Sequence, residues 1–460
     1  MGSRLWQVVA CALCATGRAA TAGDLETEVL QLRAKVRELE AENKQLRGGG
    51  LRGRSLLFGY STTDTADSTC YGGYTYGSNG FLPTVAASCT GTLDGDVEID
   101  FRDIDDASLE QIAGVTEITG GLTIIMDEDS ENDLSALASL KKLGGDLWIK
   151  GSGDCDLTAL ASLKKVGGVV WMDYNPSLQT FSLPKLEEIK GGYDPSAQGD
   201  QAGGPYGLYL SHNSGLVTID FPALEVCDDI RILNWDTGEA YKSLETVSLP
   251  SLKMADLIDI QEGCSKYVND TAAKPCPTSI TSIVLSSLTQ SELRIQGDYP
   301  ATYLVREWLT SATLDISSME VANGLQITHG AFDTILADSL VAIDGDFEYS
   351  PEHSNLADFS CFENVVVVAG DFTMGVYDTF KLSSTSFEGW TNLTHVVGAL
   401  RACTENQGDA FPSLVEVTSY CDFCNGMNYT LPSGYTCPEP PEDDGGTEYA
   451  FEYEYIDVRL

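Results

Sequence analysis

The stretch LSALASLKKLGGDLWIKGSGDCD, residues 134–156, is followed directly by LTALASLKKVGGVVWMDYNPS, residues 157–177. The two segments agree at most positions, so the chain repeats itself here. Working outward, paired glycines occur at 120–121, 144–145, 167–168 and 191–192, and successive pairs are 24, 23 and 24 residues apart. A period in the low twenties is typical of proteins that stack about one β-strand per repeat.

The repeat unit is L-x-x-L-x-x-(L/V/I)-x-G, followed by a short strand of the form L-x-I, and more divergent copies such as FPALEVCDDIRIL and FENVVVVAGDFTM follow it. One repeat cannot bury its apolar side alone. Stacking is therefore expected to align apolar positions in one core: Leu137, Leu140 and Leu143 with Leu160, Leu163 and Val166. The glycines allow a tight corner before each strand, where a positive φ is accessible. Strands are expected at 122–126, 147–150, 169–172, 208–211, 230–233, 257–260, 293–296, 325–328, 347–349 and 371–374.

The segments GGLTI, LASLKKLGGDLWI, LASLKKVGGVVWM and LPKLEEIKGG resemble the receptor L domain, the leucine-rich ligand module of the insulin and epidermal-growth-factor receptors. They are still more similar to the L-domain-like repeats of fungal glycolipid-anchored cell-wall proteins. The resemblance covers roughly residues 92–425. It implies a mainly β fold, a right-handed β-solenoid of leucine-rich-repeat type with coils of 23–24 residues. The chain departs from the fungal pattern in its C-terminus, which is too acidic for a glycolipid-anchor signal.

Seven segments follow from this interpretation. They are a signal peptide at 1–22, a coiled coil at 24–47, a linker at 48–58, an N-terminal cap at 59–91, two solenoid lobes at 92–262 and 263–425, and a C-terminal cap with an acidic tail at 426–460. The signal peptide is indicated by Arg4, an apolar run from Leu5 to Ala15 and the small residues Ala20-Thr21-Ala22. An uncleaved anchor is the alternative. No later segment has about 18 consecutive apolar residues, so no transmembrane helix is predicted. The basic stretch around Arg52 and Arg54 is interpreted as a hinge or as a processing site.

A heptad pattern occupies the second segment, with Val or Asn at position a and Leu at position d: Leu25, Val29, Leu32, Val36, Leu39, Asn43 and Leu46. β-Branched residues at a with Leu at d favour a parallel two-stranded coiled coil, and a single Asn at a fixes its register. The expected g–e pairs all have opposite charges: Glu28 with Arg33, Lys35 with Glu40, and Glu42 with Arg47. The pattern predicts a parallel homodimer; a trimer, or one helix packed on the main domain, is the alternative.

The chain carries 69 acidic and 27 basic side chains, a net charge of −42. This excess argues against a nucleic-acid partner, because phosphate contacts need Lys and Arg. It argues equally against an anionic membrane surface and favours a self-repelling particle.

Cysteine usage and sequons point to an oxidising compartment. Eleven of the 13 cysteines follow the signal peptide, and an odd number leaves a free thiol or a bridge between chains. The disulfide candidates are Cys70, Cys89, Cys264, Cys276, Cys403, Cys421, Cys424 and Cys437. The N-glycosylation candidates are Asn269, Asn392 and Asn428.

Three aromatic residues fall at corresponding positions of successive strands. Strand alternation directs Trp148 outward between Leu147 and Ile149, and Trp171 and Tyr209 take the same position in the next two repeats. Neighbouring strands lie about 4.8 Å apart, so the rings are expected to form a ladder. Such a surface suits sugar rings or a partner's apolar side chains. The alternatives are that the rings only stack on each other, or that segment 193–206 covers them.

Acidic residues follow the same strands: Asp127, Asp129, Asp154, Asp156 and Asp173. Stacked carboxylates suit Ca²⁺, which takes about six to eight oxygen ligands, although a solvated acidic rim is the alternative. No other cofactor is predicted.

Nothing in the sequence matches a nucleophile or metalloenzyme motif such as G-x-S-x-G or H-E-x-x-H. The pair Cys421-x-x-Cys424 lacks a neighbouring thioredoxin-like pattern and is interpreted as structural. The sequence therefore predicts a secreted, non-catalytic recognition protein, associated with the cell surface or cell wall, that binds a glycan or a protein. A structural component of a wall or matrix is the alternative, followed by a β-helix polysaccharide-degrading enzyme.

Overall fold

The computed structural model describes residues 69–71, 90–102, 109–127, 132–151, 156–193, 205–235, 244–263, 280–296, 312–328, 332–350, 359–375, 387–402 and 411–423. The predicted signal peptide, coiled coil, linker and acidic tail lie outside the described residues. Within them the fold is mainly β, with parallel strands and little helix, which confirms the predicted class at that level.

One parallel ladder, called the main ladder here, runs through the described part of the chain. Its strands alternate between core and surface, as in Leu147–Lys150, where Leu147 and Ile149 are buried and Trp148 is exposed. Each strand pairs with the strand of the next repeat, so equivalent residues lie side by side. The strands are Val97–Asp100, Leu122–Ile125, Leu147–Lys150, Val170–Asp173, Pro205–Ser211, Asp229–Trp235, Met254–Gly263, Gln290–Gln296, Val321–Thr328, Phe347–Ser350, Phe372–Met374, Leu400–Ala402 and Cys421–Phe423.

A second set of short parallel strands, the corner ladder, precedes the main ladder in each repeat. It comprises Thr69–Tyr71, Thr90–Asp94, Gly114–Ile118, Lys142–Leu143, Lys165–Val166, Glu188–Ile189, Val226–Cys227, Ala342–Ile343, Val367–Val368, His395–Val396 and Glu416–Val417. Between Val226–Cys227 and Ala342–Ile343, the first residues of three long main-ladder strands occupy this position. The strand Gly192–Tyr193 is different, because it pairs antiparallel with Pro205 and Tyr206.

The remaining part of each repeat changes along the molecule. Its middle repeats form a separate six-stranded parallel sheet from Thr180–Ser182, Thr218–Asp220, Thr246–Ser248, Ser282–Val284, Thr313–Asp315 and Thr334–Leu336. Repeats on either side have a 3-10 turn instead, at Ser135–Leu137, Leu157–Leu160, Ser360–Phe362 and Phe387–Trp390. Both forms turn apolar residues inward, and the buried side chains join in one hydrophobic cluster from Leu93 to Cys421.

The paired glycines have a different role from the predicted one. Apart from Gly191, with φ of 69°, none of the eight glycines in these pairs has a positive φ. Their backbones instead touch the preceding repeat. A Cβ on Gly144 would lie 2.0 Å from the Thr119 carbonyl oxygen, and one on Gly167 would lie 2.2 Å from that of Gly144. Close stacking of successive corners, rather than a left-handed turn, therefore excludes a side chain.

Candidate ligand-binding face

The outward side of the main ladder carries the three predicted aromatic residues in register. Trp148 is opposite Trp171, and Trp171 is opposite Tyr209. The Trp148 and Trp171 ring centroids are 5.9 Å apart at 47°, and the Trp171 and Tyr209 centroids are 4.3 Å apart at 30°. The alternation rule therefore places all three rings in one row.

Exposure decreases steeply along this row. Trp148 is 42% exposed, Trp171 is half-buried and Tyr209 is 8% exposed. Tyr206 packs edge-on against Tyr209, with 5.2 Å between centroids, and Val169 completes this small buried cluster. Burial also raises the pKa of Tyr209. Both alternatives to a free ladder thus hold at its Tyr209 end, where rings stack on each other and Tyr206, from segment 193–206, covers them.

The accessible part of the row is Trp148 together with the uncovered edge of Trp171. The Lys150 ammonium lies 4.7 Å from the Trp148 ring centroid, in cation–π geometry. Lys150 is in register with Asp173 on the next strand, so charges of both signs border the exposed ring. A flat aromatic surface with polar groups at its rim can hold a ligand that has one apolar face and several hydrogen-bonding groups.

A second exposed aromatic pair lies beside this row, and the sequence patterns did not predict it. Tyr174 and His212 follow the strands that carry Trp171 and Tyr209, and their rings stack with centroids 4.6 Å apart and an interplanar angle of 1°. Tyr174 is 60% exposed and the His212 side chain is 44% exposed. The signal that would have found them is the shared Tyr-Asn and His-Asn sequence at the strand ends, 174–175 and 212–213.

Two buried asparagines fix the backbone immediately after this pair. Asn213 Oδ1 accepts hydrogen bonds from the backbone N–H of Asn175 and from its side-chain amide, at 3.1 and 2.9 Å. The Asn213 amide donates to the carbonyl oxygen of Met172, at 3.0 Å. Tyr174 and His212 themselves adopt left-handed conformations, with φ of 54° and 51°. The asparagines thus hold a strand end that places two aromatic residues at solvent.

Polar side chains connect the stacked pair to the ladder. His212 Nδ1 lies 2.6 Å from Ser211 Oγ and 3.3 Å from Asp173 Oδ1. Tyr209 also shares a side-chain hydrogen bond with Ser211. In a catalytic Ser-His-Asp set the two imidazole nitrogens bond separately to the nucleophile and to the carboxylate. Here one nitrogen faces both groups, so this cluster orients the ring and lacks the geometry of a catalytic triad.

Beyond Tyr209 the same outward row becomes charged, with Arg231, Asp259, Arg294, Gln326 and Glu348 in successive register. Arg231 lies over the Tyr206 ring, 4.9 Å from its centroid. Burial raises the pKa values of Asp259 and Glu348 above the ordinary range of carboxyl groups. Gln261 donates to both carboxylate oxygens of Asp259, at 3.1 Å each.

The predicted calcium ligands do not converge where the structure describes them. Asp127 is engaged through its backbone with Asn132, Asp156 accepts the Thr158 backbone N–H at the start of a 3-10 turn, and Asp173 faces His212. Asp129 and Asp154 lie outside the described residues. Among the described residues, no group of three or more His, Cys, Asp or Glu side chains is arranged to hold a metal ion.

The predicted modification sites are described in part. Cys421 is disulfide-bonded, whereas Cys227 is a buried free thiol whose pKa is raised well above its ordinary value by burial. Cys70 lies in a strand of which the backbone alone is described. Asn392 is exposed, and its amide donates to the Glu363 carbonyl oxygen at 2.8 Å. The other candidates, Cys89, Cys264, Cys276, Cys403, Cys424, Cys437, Asn269 and Asn428, lie outside the described residues.

A scan against protein-family models finds no matching model, and searches of curated proteins and of solved structures find no significant match. The described residues contain no helix with the length and apolarity needed to span a membrane.

Proposed function

We propose that this protein is a secreted, non-catalytic recognition protein that binds a glycan on the outward side of the main ladder. The observation that carries the proposal is the row of aromatic rings in register, ending at the exposed Trp148. The apolar faces of sugar rings stack on such surfaces, while Lys150 and Asp173 at the rim offer hydrogen bonds to hydroxyl groups. A protein ligand with an apolar anchor is the alternative that suits the same ring.

The scaffold in this proposal is a right-handed β-solenoid of receptor L-domain type. The parallel ladders and the single hydrophobic cluster support it, since stacked repeats contact mainly their neighbours and bury a continuous core. Parallel strands joined by crossovers are right-handed in nearly all cases. The heptad pattern at 24–47 supports a parallel homodimer, which would present two ligand faces and increase avidity without new contacts.

A non-catalytic role is favoured over a polysaccharide-degrading one by the carboxylates beside the aromatic row. Asp229 and Asp259 are each 5% exposed, and Gln261 donates to both Asp259 oxygens. A general acid must come within hydrogen-bond reach of the leaving oxygen, which needs an accessible carboxyl group. Asp173, which is in register with Lys150 beside Trp148, faces the His212 ring.

The test is binding of the purified protein to a glycan array, in the presence of Ca²⁺ and again in the presence of a chelator. Trp148→Ala should reduce the signal at least tenfold, whereas Trp148→Phe should keep much of it because a flat ring remains. Val415→Ser is the matched control, because Val415 is 48% exposed and lies elsewhere on the molecule. It should bind as the unaltered protein does.

Trp148→Ala is preferable to a double substitution with Trp171, because Trp171 packs against the buried Tyr209 and its loss would disturb the fold. A binding signal that Trp148→Ala leaves unchanged would show that the ligand does not bind at this face. Absence of glycan binding, with Trp148-dependent capture of a protein, would assign the face to a protein ligand. Absence of both, with resistance to extraction from its matrix, would favour the structural role.

A further inference from the structure

We infer that the stacked pair Tyr174–His212 is a second ring-binding subsite, which takes a further sugar unit of a neutral oligosaccharide held at Trp148. The inference rests on the proposed function and extends it in two ways. It adds a site that the aromatic ladder does not include, and it makes the ligand a chain of several sugar units rather than a single sugar.

The first argument is the backbone conformation of the two residues. Tyr174 has φ of 54°, in the left-handed region that bulky residues rarely adopt, and His212, a residue type that is more common there, has φ of 51°. The register of the main ladder aligns Lys150 with Asp173, and Asp173 with Ser211. The residues that directly follow these three are Gly151, Tyr174 and His212, so Gly151 in the preceding repeat is equivalent to Tyr174 and His212. Gly151 has φ of 124°, the kind of conformation that glycine adopts freely. The next repeat thus places the bulky Tyr174 where a glycine or asparagine would fit with less strain.

The second argument is that the fold requires this backbone but gains little from the Tyr174 side chain. The buried Asn175 and Asn213 hold the strand ends through hydrogen bonds of their own. The Tyr174 ring contributes one stacking contact, on His212, and is 60% exposed. The His212 ring is 44% exposed and also faces Ser211 and Asp173. Strained residues that persist without a structural benefit are concentrated at binding sites.

The third argument is the position of the pair on the ligand face. Ser211 and Asp173 hold the His212 ring, and both belong to the outward positions of the same strands as Tyr209 and Trp171. The strands bearing Trp148, Trp171 and Tyr209 are consecutive neighbours, and His212 follows Tyr209 by three residues. Trp148 and His212 are therefore about 10 Å apart across the sheet and about 10 Å apart along the strands, or about 14 Å in all. Such a distance suits an oligosaccharide that reaches both aromatic surfaces.

The ligand chemistry follows from the groups between the two surfaces. Lys150 and Asp173 lie in register there, one positive and one negative, and both side chains can bond to hydroxyl groups. A chain with net charge −42 repels polyanions, so a neutral sugar polymer is favoured over a uronate or sulfated one.

The experiment measures affinity for laminari-, cello- and chito-oligosaccharides of one to six units, by titration calorimetry, together with thermal unfolding. The double variant Tyr174→Asn/His212→Asn keeps a residue type that tolerates the left-handed conformation. For at least one of the three series, affinity of the unaltered protein should rise with chain length. The variant should lose about tenfold for the longest member and little for the shortest. Its Tm should be unchanged or raised by about 1–3 °C, because strain is relieved.

Trp148→Ala should weaken binding at every length, which separates the two proposals. Binding that depends on Trp148 and is equal in the double variant and the unaltered protein at all lengths would overturn the second subsite alone. A Tm lowered by several degrees in the double variant would also overturn it, by showing that the pair stabilises the fold. Failure of the unaltered protein to bind any of the three series would overturn the second subsite, while the glycan array decides the proposed function. Binding independent of Trp148 would overturn both proposals.

Discussion

The outward row of the main ladder has two halves that share a backbone and differ in chemistry. The first, aromatic half begins with the polar Glu98 and Thr123 and continues with three aromatic rings in contact, from Trp148 to Tyr209. The second half, from Arg231 to Arg401, consists of charged and polar side chains. The inward positions do not change in this way, since they are apolar in both halves. Because the core positions maintain the scaffold, the outward row is free to specialise, and the position where its chemistry changes marks the candidate binding face.

The corner ladder also changes in chemistry along the molecule, but at a later repeat. The residues that precede its strands are mostly charged from Lys141 to Glu320, and valine then occupies three of the last four positions, 341, 366 and 415. Glu187 forms an ion pair with Lys164 at 2.6 Å. The two surfaces therefore change at different repeats, while the hydrogen bonds between repeats continue through both.

The largest effect is expected from substitutions that test whether both halves use the same backbone packing. A Cβ on Gly144 would lie 2.0 Å from the Thr119 carbonyl oxygen, and one on Gly345 would lie 2.1 Å from that of Asn323. Because backbone must move in either case, Gly144→Ala and Gly345→Ala should each lower the free energy of unfolding by about 2–4 kcal/mol. Urea denaturation measures this value.

Gly192→Ala is the control for these substitutions, because nothing lies within 4 Å of the Cβ that it would add. It should change stability by less than about 0.5 kcal/mol. A large loss for Gly144→Ala with a negligible one for Gly345→Ala would show that the two halves are packed differently, contrary to the shared register.

The next largest effect on stability is expected from substitutions that compare the packing of the two halves of the outward row. Trp171→Ala should lower the free energy of unfolding by about 1–3 kcal/mol, because Trp171 packs on Tyr209 and Tyr206. Gln326→Ala, at the same outward position of the other half, should change it by less than about 0.5 kcal/mol. Equal losses in the two variants, measured in parallel urea titrations, would contradict the view that only the aromatic half is packed as a small outer core.

Much of the scaffold was readable from the sequence. All ten expected strands overlap observed ones, because apolar alternation and the glycine pairs report repeat boundaries directly. The six-stranded sheet that begins at Thr180–Ser182 was missed. Its strands are three residues long, and alternation over so short a stretch cannot be distinguished from a turn. A signal for it existed in the recurring Thr-apolar-x-apolar sequence, as in TFSL at 180–183 and TIDF at 218–221.

The site was predicted in part for a related reason. Alternation put Trp148, Trp171 and Tyr209 in one row, but it carries no information about what covers a ring. Tyr206 covers the row at an irregularity of register between Tyr206 and Leu208, which a strict period of two does not anticipate. The Tyr174–His212 stack depends on left-handed residues at strand ends, and such conformations leave little trace in sequence unless glycine or asparagine occupies them.

A smaller effect is expected from removing a buried carboxylate, and the resulting change in the free energy of unfolding at pH 7 should have opposite signs in the two halves. Asp259 lies in the charged half, and burial raises its pKa, so the folded protein bears the cost of a buried carboxylate at neutral pH. Asp259→Asn should therefore raise the free energy of unfolding at pH 7, by an amount on the order of 1 kcal/mol. The gain should vanish below the ordinary aspartate pKa, where the carboxyl group is protonated in both states.

Asp100 supplies the matched comparison at the outward side of the aromatic half. Arg102 donates to both of its carboxylate oxygens, at 2.8 and 2.5 Å, and holds the pKa of Asp100 below the ordinary value. Its contribution is present at neutral pH and is lost as pH falls through the lowered pKa, so Asp100→Asn should destabilise the protein at pH 7. Unfolding curves from pH 3 to 7 in which the two variants shift in the same direction would contradict this assignment.

The smallest effect is expected where the two halves differ without a structural requirement. Val341 is 46% exposed and follows Glu320 in the row that carries Lys141 and Lys164 in the other half. Replacing it by lysine removes an exposed apolar group and adds a charge to a strongly acidic chain, so Val341→Lys should change the free energy of unfolding by no more than about 0.5 kcal/mol. Any gain should shrink in high salt, because exposed charges are screened. A loss of more than about 1 kcal/mol in urea titrations at low and high salt would instead show that Val341 packs against another part of the protein, and the valine row would then be an internal contact rather than free surface.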